Sequence, residues 1–128
     1  MQQLGLARGM VVEELGWDDD VAEDFRQAVM EDIDSDLVEE STEAVDAVIL
    51  WLRDDDGDVV DLLIDSLTDL GPQGFLWVLT PKIGRPGHVA QSDLSEGVLA
   101  AGLVLTTTVS ASAQWSAHKV VRPKSARR

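Results

Sequence analysis

The chain contains no cysteine, which excludes a disulfide framework, a thiol nucleophile and a cysteine zinc site. Positive charge is scarce: ten Lys and Arg stand against 24 Asp and Glu, a formal net charge of −14 over 128 residues. Long apolar runs are missing as well. The longest, Ala47 to Leu52, is far too short to cross a bilayer. Met1-Gln2-Gln3 opens the sequence without the basic and extended apolar stretches of a signal peptide. These absences point to a cytoplasmic protein with no membrane partner. No internal repeat is visible. A hydrophobic content of 45% separates the chain from disordered acidic sequences, and its length suits one domain with a real core.

What charge there is lies unevenly. Residues 13–69 hold 22 of the 24 acids against Arg26 and Arg53, whereas residues 70–128 are net basic. An acidic half of this density repels phosphates, so nucleic acid is not expected as a partner. A protein partner, basic or cationic, is easier to accommodate. The same acids also serve solubility alone.

The stretch from Val45 to Pro81 organises the rest. Ala47–Leu52 and Phe75–Leu79 are apolar on both faces, as strands of a covered parallel sheet are. Between them Val59, Leu62, Leu63, Leu67 and Leu70 recur at helical spacing. Asp56 or Asp58 is placed to cap that helix, and Gly71-Pro72 to end it. Upstream, Met10-Val11-Val12 opens a short strand that ends near Leu15. Residues 19–33 then read as an amphipathic helix through Val21, Phe25, Val29 and Ile33, with Asp18, Asp19 and Asp20 as candidate caps. A minimal strand at Leu37-Val38 and a helical turn from Ser41 follow. Downstream, Ser92 or Asp93 caps a helix over 94–101 that Gly102 closes. The chain then finishes in an antiparallel hairpin, with Leu103, Leu105, Thr107 and Val109 on one face of its first strand. Residues 1–9 are expected as a flexible lead-in, 10–123 as a single α/β domain, and 124–128 as a basic tail.

This order of elements predicts a three-layer Rossmann-like α/β domain with a mainly parallel sheet and a C-terminal antiparallel hairpin. It resembles the class I methyltransferase fold, whose sheet ends in such a hairpin. In detail the chain is similar to an actinobacterial family known as a domain of unknown function. The resemblance rests on LGW followed by acids, WLRDDDGD, LTPKIGRPGHV and the late QWS, and it covers nearly the whole chain.

The methyltransferase resemblance implies a glycine-rich turn after the first strand for S-adenosylmethionine, with a ribose-binding acid about twenty residues on. Here Gly16 alone remains of the glycines, Trp17 is bulky where small residues are needed, and Asp36 has the ribose spacing. No cofactor is therefore expected. The turn Asp54-Asp55-Asp56-Gly57-Asp58 fails the EF-hand pattern, with Val59 where glycine belongs, and reads as a capped, solvated turn without metal. Lys82, Arg85 and His88 form the next cluster. Either they hold a phosphate or carboxylate, or they pair with Asp54 to Asp56. Trp51 and Trp77 read as core. Trp17 and Trp115 lie at turns and are candidates for a partner-binding surface, as are Arg53, Asp54 and Asp56. No catalytic residue stands out. The leading expectation is a non-catalytic binding or regulatory protein on a degenerate methyltransferase-like scaffold. The alternatives are a divergent S-adenosylmethionine- or nucleotide-dependent enzyme and an acidic accessory subunit of a larger assembly.

Overall fold

Apolar runs bounded by turn residues at 45–81 fold as a strand, a helix and a second strand, in a computed structural model that describes residues 4–40 and 43–123. β2 (Val45–Trp51) is buried along its length except at Asp46. It pairs in parallel with β3 (Leu70–Pro81) across α2 (Val59–Ser66). Asp58 caps α2, its carboxylate accepting from the Asp61 amide at 3.0 Å. The helix is shorter than the apolar spacing predicts, and Gly71-Pro72 opens β3 instead of ending α2. Leu67, at the C-cap of α2, and Leu70, the first residue of β3, keep helical spacing because both face the same core, not because the backbone between them is helical. Pro72 has no amide for the ladder. The register accordingly jumps, with Val45 opposite Leu70 but Ala47 opposite Phe75.

β1 (Val12–Leu15) lies parallel to the outer side of β2. After α1 (Glu23–Ile33) only Val38 reaches the sheet, bridging Glu13 in parallel. β3 continues through α3 (Gln91–Ala100) to β4 (Val104–Ser110) and β5 (Trp115–Val121). The strand order is β1-β2-β3-β5-β4, with β5 antiparallel to both neighbours. The sheet is therefore mixed, not mainly parallel as expected. The parallel half is cut short at one bridging residue, while the hairpin supplies two full antiparallel ladders. α1 buries Phe25, Val29 and Ile33 against Trp51, Trp77 and Trp115 on one face. α2 and α3 bury Leu63, Leu94 and Val98 against Val48, Val78 and Val120 on the other.

Several local expectations change. The N-caps of α1 and α3 are Ala22 and Ala90, neither with a side-chain cap. Asp18 instead accepts from the adjacent Asp19 amide, and Ser92 and Asp93 fall inside α3. In β4 a bulge at Thr106 breaks the alternation, so Leu105 and Val109 face opposite sides. Within the lead-in Leu4 is buried, and its carbonyl accepts from Trp77 Nε1 at 2.9 Å. The expected helical turn at Ser41 and the basic tail 124–128 lie outside the described residues. Among the described residues no helix is long and apolar enough to cross a membrane.

Candidate functional site

The carboxyl ends of β1, β2 and β3 bring three turns together, at residues 16–20, 53–58 and 82–88. From β1 the chain first goes to Val38 on one side and then to β2 on the other. Such a reversal opens a crevice above the strand ends, where open α/β sheets take ligands. Here the crevice has a volume of about 310 Å³, and its lining includes Trp17, Asp18, Arg53, Asp56 and Leu62.

Arg53 dominates it. The guanidinium grips Asp20 through both Nε, at 3.0 Å, and Nη2. Nη1 donates to the Gly16 carbonyl at 2.8 Å and lies 3.3 Å from Asp56 Oδ2. Asp56 also accepts from the Arg53 amide at 3.0 Å. The guanidinium carbon sits 5.3 Å from the Trp115 ring centroid, a cation–π distance. Only 11% of the Arg53 side chain is exposed. The hydrogen bond from Arg53 holds the Asp20 carboxyl below its ordinary range, against the burial that opposes it. The same bond keeps Arg53 protonated more firmly than usual.

Two glycines make this packing possible. Gly16 has φ +78°, and a Cβ there would lie 2.4 Å from the Trp51 carbonyl oxygen. Gly87 has φ +84° and lets the Arg53 stem approach, since its Cβ would meet Arg53 Cβ at 3.1 Å. The missing side chain at Gly16 thus admits the chain's own strand end. The Asp54 amide donates to the Gly87 carbonyl at 2.9 Å and joins the second turn to the third.

The remaining candidates separate. Asp54 and Asp55 are exposed. Among the described residues no side chain of Lys82, Arg85 or His88 pairs with Asp54 to Asp56. Lys82 Nζ donates to Ser110 Oγ at 2.6 Å, and His88 Nδ1 lies 2.8 Å from the Pro81 carbonyl. Arg85 lines a different, small cleft with Asp20 and Gln114. Trp17 is 55% exposed. Trp115, a candidate for a partner surface, is buried edge-on against Trp51, with centroids 4.9 Å apart and Nε1 donating to the Asp20 carbonyl. The first turn and the last hairpin do meet, with Trp115 inside the junction. Asp36 precedes Val38, whose parallel bridge to Glu13 puts it toward the amino ends of the strands and away from Gly16. No group of three or more His, Asp or Glu among the described residues is placed to hold a metal ion.

Sequence reasoning missed two buried acids. Glu14 takes a bidentate grip from Arg26, at 2.6 and 2.9 Å, and accepts from Trp51 Nε1 at 2.9 Å. Both arginines of the acidic half are therefore spent on tying turns and strands together. Glu13, on the opposite face and 3% exposed, has its carboxyl pushed up to about 7, first by burial and then by Asp69 and Glu40. The one sequence signal for either was a strand too short to hold two acids without burying them.

The scaffold has relatives of both kinds that the sequence suggested. An O-methyltransferase of neocarzinostatin biosynthesis, solved with S-adenosyl-L-homocysteine, superposes with a TM-score of 0.63 at 11% identity, over 90% of this chain and 50% of that one. The CcbJ methyltransferase of Streptomyces caelestis gives 0.61 at 10% identity, over 94% and 86%. At such identities the likeness is one of fold. A protein of Mycobacterium tuberculosis strain H37Rv, described as uncharacterised, is 43% identical over 125 residues, 97% of this chain and 78% of its own length. Residues 1–124 match the family described as protein of unknown function DUF3052. By both matches the chain belongs to the DUF3052 family, built on a methyltransferase-like α/β fold.

Proposed function

We propose that the chain is a non-catalytic binding protein that presents the turns at 16–20, 53–58 and 82–88 to a protein partner. The observation that carries this reading is Arg53. Its guanidinium lies in the crevice at the end of β1, already bound to the Gly16 carbonyl, Asp20 and Asp56. A cofactor entering there meets an arginine whose donors are nearly all taken. Beside it, Trp17 offers a half-exposed aromatic anchor of the sort that concentrates binding energy. Asp18, Asp54 and Asp55 give the rim a negative charge suited to a basic partner. An acidic accessory subunit of a larger assembly would use the same face.

A second reading, a divergent S-adenosylmethionine-dependent enzyme, is favoured by the crevice itself and by neighbours of the same fold that bind that cofactor or its product. Calorimetry with S-adenosylmethionine and S-adenosylhomocysteine separates the two. The binding reading expects no micromolar affinity for either. It also expects a partner, recovered from the native cell and then purified, that binds the folded chain and loses affinity on Trp17→Ala. Micromolar cofactor binding sensitive to Trp17→Ala would sink the first reading and promote the second.

A further inference from the structure

The sheet face under α3 changes character toward its carboxyl end. Leu76, Val78 and Val120 are buried apolar residues there. Beyond them come Thr80, His118, Thr108 and Ser116, the floor of a cleft of about 450 Å³ walled by Pro81, Ile83 and Val89. The bulge at Thr106 shapes this floor. It places Val109 opposite Ala117, in the core on the α1 side. Without the extra residue Val109 would fall opposite Ser116 and cover the floor. Bulges commonly re-aim side chains in this way next to binding sites.

His118 and Thr80 are each only 3% exposed. His118 Nε2 lies 2.9 Å from Thr80 Oγ1 and Nδ1 2.9 Å from Thr108 Oγ1. Burial pushes this imidazole down to about 4, so at neutral pH one ring nitrogen donates and the other accepts. The threonine that accepts from the ring keeps its own O–H for another acceptor. His88 stands at the wall. The Pro81 carbonyl can only accept, so Nδ1 donates to it, and Nε2 of the neutral ring can only accept. Lys82 brings an ammonium to the mouth. In a chain with 24 acidic residues, none of the ten residues lining this cleft is acidic. The crevice beside Arg53, by contrast, is rimmed by Asp18, Asp56 and Asp65.

We propose that this cleft binds a small organic carboxylate, its apolar body against Val89 and Ile83 and its carboxylate on the Lys82 ammonium and the one threonine hydroxyl that His118 leaves free. The apolar wall argues against a bare inorganic anion, and the ammonium against a neutral molecule. The site is separate from the Arg53 crevice and shares with the proposed protein-binding face only the turn at 82–88.

The chain has two histidines, and both line the cleft, so their imidazole Cε1–H signals in NMR report on it directly. The full chain is titrated with benzoate, with benzamide as a neutral isostere, and with inorganic phosphate. Benzoate is expected to shift both signals saturably with a Kd on the order of 1 mM, as its size allows. Benzamide and phosphate should bind at least about tenfold more weakly. Lys82→Met should abolish the preference for benzoate over benzamide and leave the melting temperature unchanged. The proposal is overturned if benzoate gives no saturable shift, if benzamide or phosphate binds as well, or if the folded Lys82→Met protein keeps the preference.

Discussion

Replacing Glu13 by glutamine should make the protein more stable above neutral pH and leave it nearly unchanged near pH 4.5. Glu13 sits on β1 with its carboxyl in the layer beneath α2, facing Asp69, with Glu40 contributing further negative charge. Its carboxyl holds a proton up to about 7, against an ordinary value of 4.5. Below 4.5 folded and unfolded chains are both protonated there, and burial of the neutral acid costs little. As pH rises from 4.5 to 7 the unfolded chain releases a proton that the folded chain keeps, and stability is lost throughout that window. Above 7 the loss is complete and levels off. At 1.36 kcal/mol per pH unit the window from 4.5 to about 7 amounts to roughly 3 kcal/mol at most. Glutamine keeps the shape, stays neutral and can donate to Asp69 at every pH. Urea unfolding followed by tryptophan fluorescence at pH 5, 6, 7 and 8 reads the difference. The gain at pH 8 should approach about 2 kcal/mol, or roughly 5–10 °C in melting temperature. Repulsion among the other acids cancels when variant and parent are compared at the same pH. A difference that does not grow with pH, or a variant less stable than the parent at pH 8, refutes the reasoning.

Gly16→Ala should destabilise by about 1–3 kcal/mol, because the backbone is left-handed there and the new methyl would meet the Trp51 carbonyl; thermal melting reads it, and an unchanged midpoint would mean the turn relaxes freely. Arg53→Ala should cost about 1–3 kcal/mol, a range that allows for solvent screening at half-exposed Asp20. Arg53→Lys should not restore it in the same melt, since an ammonium cannot reach Asp20, Asp56 and the Gly16 carbonyl together. Trp77→Ala should cost about 3–5 kcal/mol, since the ring is 1% exposed and its Nε1 anchors Leu4; denaturant unfolding showing under 1 kcal/mol would contradict its place in the core.

The central strand–helix–strand unit was legible because Ala47–Leu52 and Phe75–Leu79 are apolar on both faces, the first flanked by Asp46 and Arg53 and the second by Gly74 and Thr80-Pro81. Helix ends were less so. Ala22 and Ala90 stand at caps where the neighbouring aspartates and serine looked better suited, and Asp20 was taken by an arginine 33 residues away. That distance also explains Arg53. It was a candidate for a partner surface beside Asp54 and Asp56, and nothing local in the sequence named Asp20 as its partner. Trp115 reads as a turn residue from Gln114 and Ser116. Its burial comes from Trp51, which only the pairing of β5 beside β3 supplies. Glu13 and Glu14 were hidden by the abundance of acids, since two buried ones among 22 leave no mark in composition. Lys82 and His88 were found as a cluster with Arg85, yet the turn of the loop sends them to the α3 side and Arg85 elsewhere.

Trp115 is joined to the Asp20 carbonyl across 95 positions and lies against the Arg53 guanidinium. During synthesis the first turn and the acidic turn leave the ribosome long before the strand that braces them. β1, α1 and β2 can gather as the chain emerges, but Trp51 lacks its edge-on partner and Arg53 lacks the aromatic plane behind it until β5 has docked. The face at 16–20 and 53–58 is thus assembled last although it is encoded first. A nascent chain stalled before residue 115 would carry the acids of that face without its geometry, so any partner that recognises the shape would be reserved for finished molecules.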